Sequence, residues 1–346
     1  MRVQNLVLTA LFAVTAFGQA PDQDINRVFH FTNTQAPQSR QEILNMIRAI
    51  AEIQNATVDN SAGILAVSGT SGQIAMAEWL FYNMDRPANA APPDPGALQF
   101  TVAGASNQVA RIFYLTNTPT PQALQEAINA IRAVIEIQRV VAYNASKAIA
   151  MRGTVEQMAA VQWSIPLMDR PTGQPSSTHE FAMAGIAPRL GTTSNIIRVF
   201  YLQHTETPQA MQEMVNLIRS LGEVQRIVAL NVPKALILRG SADQSALVDW
   251  LVQQLDKPPA AASPNTAAVA YQMTPNPNPY EPPAVRIFYP SHIDSPQALQ
   301  DVTNMVRAAT RIQRAVSYTP TNALALRGTG DQIARAEQIL QERDKP

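Results

Sequence analysis

The chain contains no cysteine. That removes any disulfide framework, and with it the cysteine on which a lipoprotein anchor is built. Charge of one sign is missing too: 26 basic residues balance 26 acidic ones, so no global field draws the protein to nucleic acid or anionic lipid. There are four histidines (His30, His179, His204, His292), and no convergent ligand set surrounds them. No nucleophile motif, zinc-hydrolase motif or phosphate-binding loop occurs. The expectation is a chain with no catalysis, no cofactor and no metal.

Long apolar runs are also scarce. The one notable stretch is at the start, where Arg2 precedes an apolar core from Leu6 to Phe17 and small residues follow. The core is too short to span a bilayer, and the pattern reads as a secretory signal over residues 1–20. Cleavage after Gly18 or after Ala20 both fit. An exported chain without cysteine fits the bacterial periplasm or an outer-membrane-associated site.

What the chain does have is repetition. RVFHF at Arg27, RIFYL at Arg111, RVFYL at Arg198 and RIFYP at Arg286 open four similar units, with starts 84, 87 and 88 residues apart. Closing signatures are DRP at Asp85 and Asp169, and DKP at Asp256 and Asp344. A fixed period of this kind decides the architecture before any local feature does. In each unit an apolar run suits a buried strand. A helix start follows: Thr120-Pro-Gln, Thr207-Pro-Gln and Ser295-Pro-Gln put a hydroxyl at the N-cap and proline at the first helical position. Ala36-Pro-Gln keeps the proline and loses the cap. The helix carries an apolar stripe (Leu124, Ile128, Ile131, Ile135 in the second unit). Two strands come next, the second alternating large and small residues, so one sheet face is expected to be smooth and lightly clothed. A last helix opens on Thr70-x-x-Gln73, Thr154-x-x-Gln157, Ser241-x-x-Gln244 and Thr329-x-x-Gln332, the capping-box spacing.

The fold class is therefore α+β: four tandem βαββα domains, KH-like in their order of elements, each a three-stranded sheet with two helices on one face. The expected divisions are residues 27–87, 98–171, 179–258 and 268–346. The last three begin with a linker piece of alternating character (Leu98 to Val102, His179 to Met183, Ala268 to Met273), an added edge strand for its own unit or for the preceding one. Prolines collect between units, above all from Pro275 to Pro283, so beads on partly stiff spacers, without a shared core, are expected. Trp79, Trp163 and Trp250 read as core residues. Unit four puts Gln338 at their position and Arg343 where the others have Met84, Met168 and Leu255, which fits a terminal cap or a frayed end.

The repeated polar residues point to an interface. Asn129/Arg132 and Asn216/Arg219 keep an Asn-x-x-Arg spacing, with Glu136 and Glu223 four residues further on and Arg311 at that place in unit four. All share one helix face outside the deepest apolar stripe. Arg152, Arg239 and Arg327 end the third strand of their units, where unit one has Ser68. Arginine's planar fork suits such contacts. A solvated, salt-bridged face and a surface that docks a neighbouring unit or subunit both account for the set.

Ala235-Leu-Ile-Leu-Arg-Gly240, then Gln244 and Leu255-Asp-Lys-Pro258, with their counterparts elsewhere, resemble the periplasmic N-domains of bacterial secretins, of the NolW-like type. The resemblance implies small domains that assemble side by side into rings at secretion or type IV pilus complexes. It also implies protein partners in the cell envelope and a homo-oligomer. No series of alternating strands for a barrel follows the fourth unit, so a channel role does not carry over. Other classes are a KH-like nucleic-acid-binding protein of a DNA-uptake system, for which Gly69-Thr-Ser-Gly72 is a weak clamp-like motif, and a receptor that adds an extended peptide to a sheet edge.

Overall fold

The computed structural model describes residues 24–87, 98–105, 107–175, 177–183, 195–258, 269–272 and 284–345, together with 90, 91, 93, 94 and 96. The signal segment and the Pro275–Pro283 run lie outside the described residues.

Four βαββα units follow one another. The first holds β1 (Ile25–His30), α1 (Pro37–Ile50), β2 (Asn55–Asp59), β3 (Ile64–Gly69) and α2 (Ser71–Met84). The second holds β4 (Gln99–Thr101), β5 (Gln108–Tyr114), α3 (Pro121–Ala130), β6 (Arg139–Tyr143), β7 (Ala148–Thr154) and α4 (Val155–Met168), with α3 running on as a π-helical turn over Ile131–Ile135. The third holds β8 (Thr178–Ala182), β9 (Ile196–Tyr201), α5 (Pro208–Gly222), β10 (Arg226–Leu230), β11 (Ala235–Gly240) and α6 (Ala242–Leu255). The fourth holds β12 (Val269–Gln272), β13 (Ala284–Phe288), α7 (Pro296–Thr310), β14 (Arg314–Tyr318), β15 (Ala323–Gly328) and α8 (Gly330–Arg343). Each sheet is antiparallel, with the third strand of the unit in the middle. The linker strands β4, β8 and β12 pair with the first strand of their own unit, which makes those sheets four-stranded; unit one has three strands.

Local chemistry explains the elements. Thr120, Thr207 and Ser295 accept the backbone N–H three residues on, while Ala36 offers no side-chain cap. All four last helices carry a complete capping box. The capping glutamine does more than close its own helix. Gln73 Nε2 donates to the carbonyl of Glu52, and Gln157 and Gln244 reach the carbonyls of Glu136 and Glu223 in the same way. This ties the start of the last helix to the end of the first. It also explains the glycine just before the box: a Cβ on Gly69 or Gly153 would lie 2.8 or 2.9 Å from the glutamine Oε1. The Gly69–Gly72 segment is this capping turn.

The closing aspartates clamp the loop between the first strand and the first helix. Asp85 accepts backbone N–H groups of Thr32, Asn33 and Thr34, and Asp256 accepts those of Gln203, His204 and Thr205. Asn33 and Asn117 add a side-chain bond to the aspartate's own carbonyl. Asn33, Asn117, His204 and His292 each lie six residues after their unit's opening arginine, and all four are turn residues held by an aspartate 52 residues downstream.

Two expectations need correction. The units are not beads without a shared core. The apolar core of unit one runs on into Ala110, Ile112, Tyr143, Ala148 and Ala150 of unit two. The core of unit two takes in Ile197, Val199, Tyr201 and Ile237 of unit three, and that of unit three takes in Val285, Ile287, Tyr318 and Ala325 of unit four. The smooth sheet face is smooth because the previous unit's helices lie on it; alanines there allow close approach. The tryptophans, second, are half-buried at these seams, each against an aromatic of the following linker strand: Trp79 on Phe100, Trp163 on Phe181, Trp250 on Tyr271, with ring centroids 5.4 to 5.6 Å apart. The linker strand hydrogen-bonds its own unit and packs its side chain on the preceding one.

Candidate functional site

The most elaborate polar chemistry lies at the three seams, and it repeats. At the carboxyl end of α1, Glu52 adopts a left-handed backbone (φ 58°), and its side chain meets Arg139 and Arg152 of unit two, the latter at 2.8 Å. Glu136 (φ 65°) meets Arg226 at 2.7 Å and Arg239 at 3.1 Å. Glu223 (φ 55°) meets Arg314, and Arg327 at 3.5 Å. Left-handed backbone is where glycine is favoured, so a glutamate there is strained, by about 1 kcal/mol. The side chain supplies the compensating contact. Of the paired arginines, Arg152, Arg239 and Arg327 are nearly buried, Arg239 to 3 % exposure. Burial depresses the guanidinium pKa of Arg239 and Arg327, and the facing glutamate opposes that shift.

Each second shared contact runs from a tyrosine. Tyr114, Tyr201 and Tyr289 donate to the carbonyls of Asn83, Leu167 and Gln254 in the last turn of the preceding unit's second helix, at 2.7 to 2.8 Å. Burial raises all three phenol pKa values, that of Tyr289 up to about 12. A third contact is acidic: Glu42 receives the backbone N–H and side-chain amide of Asn144, Glu126 those of Asn231, and Glu213 the N–H of Thr319. Finally, Thr34 and Thr205 share hydrogen bonds with the buried hydroxyls of Tyr143 and Tyr318.

Of the residues singled out in the sequence, the structure brings Glu136, Glu223, Arg152, Arg239 and Arg327 to the seams. Arg132 and Arg219 instead donate to the carbonyls of Val140 and Ile227, inside their own units. Arg48 and Arg307 do the same at Ala56 and Ala315. Asn129 and Asn216 accept from glutamines one turn earlier and stay exposed. The opening arginines stay within their units as well: Arg27 pairs with Glu78, Arg198 with Glu180 and Arg286 with Glu337. The seam tyrosines and the acidic residues one turn into the first helix escaped the sequence reading. Their signal was present, since three openers read RxFY and unit one reads RVFH. Among the described residues no group of His, Asp or Glu is placed to hold a metal, and no helix is long and apolar enough to cross a membrane.

No protein-family model and no curated protein matches the chain. Solved structures similar to it include ExeD of Aeromonas hydrophila, at 16% identity over 68% of this chain and 41% of that one, with a TM-score of 0.17. The N-terminal domain of the secretin XcpQ from Pseudomonas aeruginosa is similar at 18% identity over 44% of this chain and 64% of that one, TM-score 0.18. Dim2p of Pyrococcus horikoshii OT3 is similar at 15% identity over 44% of this chain and 93% of that one, TM-score 0.23. The chain thus spans less than two thirds of the first two. Values this low leave the reading to the chain's own residues.

Proposed function

We propose that this is a non-catalytic assembly protein of the bacterial cell envelope, whose secretin N-domain-like units dock proteins of a secretion or pilus complex. The observation that supports it is the threefold repeat of one seam. The sheet face and the helix face of this βαββα unit are both docking surfaces, and the chain uses them three times on itself. Export to the periplasm belongs to the same reading and rests on the pattern of residues 1–20. The lateral face proposed to meet a neighbouring copy is the exposed row that includes Asn129, Arg132 and Asn216.

The test is the molar mass of the chain without its signal segment, by light scattering across concentration, with negative-stain images of any large species. A closed oligomer that is lost in the Asn129→Lys, Asn216→Lys double variant supports ring building. A strict monomer at high concentration overturns self-assembly. Periplasmic recovery of the full-length chain, against cytoplasmic retention, tests the address separately. One feature favours a receptor role within this reading: the outer edge of β1 has no partner strand among the described residues.

A further inference from the structure

A contact between the sheet face of one unit and the helix face of another is heterologous. Repeated from chain to chain it runs on as an open filament unless its rotation closes a ring. Among the described residues, unit one has no unit docked on its sheet face and unit four none on its helix face, so those two faces are the places to look for a stop.

Every element of the seam changes there. At the sheet face, the arginine pairs Arg139/Arg152, Arg226/Arg239 and Arg314/Arg327 give way to Asn55 and Ser68. His30 stands where Tyr114, Tyr201 and Tyr289 donate, and Asp59 where Tyr143 and Tyr318 are buried. No linker strand covers β1 among the described residues. At the helix face, Arg311 keeps the left-handed backbone (φ 59°) and reverses the charge of Glu52, Glu136 and Glu223. Ala309, exposed, replaces the buried Ile50, Val134 and Leu221. Gln338 replaces the tryptophan, and Ile293 replaces the threonine that shares a hydrogen bond with the incoming tyrosine.

We infer that these positions are specificity determinants, which keep copies of this chain from joining end to end through the seam used inside it. Docked that way, Arg311 would meet Asn55 and Ser68 with no carboxylate to pair, and Asp59 would be pressed against Ile293. Asp59 keeps its hydrogen bonds from Ser61 and Ala62, but a carboxylate taken out of water onto an aliphatic side chain with no counter-charge is disfavoured. Loss alone would weaken the contact; the aspartate and the arginine, desolvated with no opposite charge to meet, add a penalty against it. The inference concerns the stack's ends and is independent of the lateral ring contact proposed above.

The experiment uses two full-length variants that each restore one face. One carries His30→Tyr, Asn55→Arg, Asp59→Tyr and Ser68→Arg. The other carries Ile293→Thr, Ala309→Leu, Arg311→Glu and Gln338→Trp. Because the chain lacks cysteine, a single Ala75→Cys in the first and a single Ala334→Cys in the second, at a helix position that stays exposed in all four units, accept a donor and an acceptor dye. On mixing, the pair is expected to show energy transfer and a one-to-one species. Its apparent Kd should be at least about tenfold below that of the native chain with the same labels. Two results would overturn the inference: energy transfer between native chains equal to that of the restored pair, or no gain in a pair whose circular dichroism and melting match the native chain. A lateral ring brings like units together and gives no transfer between Ala75→Cys and Ala334→Cys ends, so ring building and end rejection fail separately.

Discussion

Replacing the left-handed residue after the first helix by glycine is expected to act with opposite sign in two units of the same chain. Glu136 and Arg311 share that backbone position, with φ values of 65° and 59°. In both, glycine relieves the left-handed strain, worth roughly 0.5–1 kcal/mol after its larger unfolded-state entropy is counted. Arg311→Gly removes an exposed side chain and no ion pair among the described residues, so the variant is expected to be more stable by about that amount. Glu136→Gly also removes the partner of Arg226 and of Arg239, and Arg239 is only 3 % exposed. Breaking a fully buried pair costs about 3–5 kcal/mol. The carboxylate here is 34 % exposed, and solvent screening brings the loss to about 2–3 kcal/mol. The net expectation is destabilisation by about 1–2 kcal/mol, since the capping glutamine contacts only the backbone carbonyl of Glu136 and is kept. Urea unfolding at neutral pH reads both variants as midpoint shifts at constant slope. Two stabilised variants would show that the seam ion pairs carry nothing. Two destabilised ones would show that the left-handed backbone is not the source of strain.

Tyr201→Phe keeps the ring and leaves the Leu167 carbonyl without its donor; a loss of about 1–1.5 kcal/mol in urea unfolding is expected, and no change would remove the tyrosines from the seam's energetics. Gly153→Ala places a Cβ 2.9 Å from Gln157 Oε1 and 3.3 Å from Ile137, so a loss of about 1–3 kcal/mol is expected. The loss should shrink, leaving only the Ile137 contact, if Gln157 is first cut back to alanine. Alkaline stability gives a fourth test. Burial raises Tyr289 from 10.0 to about 12, so above pH 10 the unfolded chain sheds a proton that the folded one retains. Stability should fall as pH rises through that window, by about 1.4 kcal/mol per pH unit for this group. The decline should be shallower in Tyr289→Phe, and an equal slope would contradict the assignment.

Much of each unit could be read along the chain. Proline at the first helical turn, the hydroxyl before it and the Thr/Ser-x-x-Gln box act within four residues of one another, and such short-range chemistry survives whatever the rest of the chain does. The repeat itself was legible because four copies keep RxF, Asp-Arg/Lys-Pro and a glycine just before the capping box at matching offsets. The interface set was legible only as a choice between a solvated face and a docking one. Glu136, Arg239 and Arg132 carry the same kind of signal in sequence, yet Glu136 and Arg239 meet across 103 residues while Arg132 bonds a carbonyl eight residues away.

What the sequence by itself determined is the unit: its strands, its capped helices and its fourfold repetition, because periodicity and capping are local. What only the tertiary structure decided is how the units meet. The alanine-rich sheet face looked bare because its covering lies in the preceding unit, and the tryptophans looked internal because hydrophobicity does not say which side is filled. Proline-rich linkers suggested separation, but their strands pair forward onto their own unit and pack back onto the preceding unit's tryptophan. Burial is a property of what comes to lie against a residue, and across some hundred residues of chain that is settled by packing.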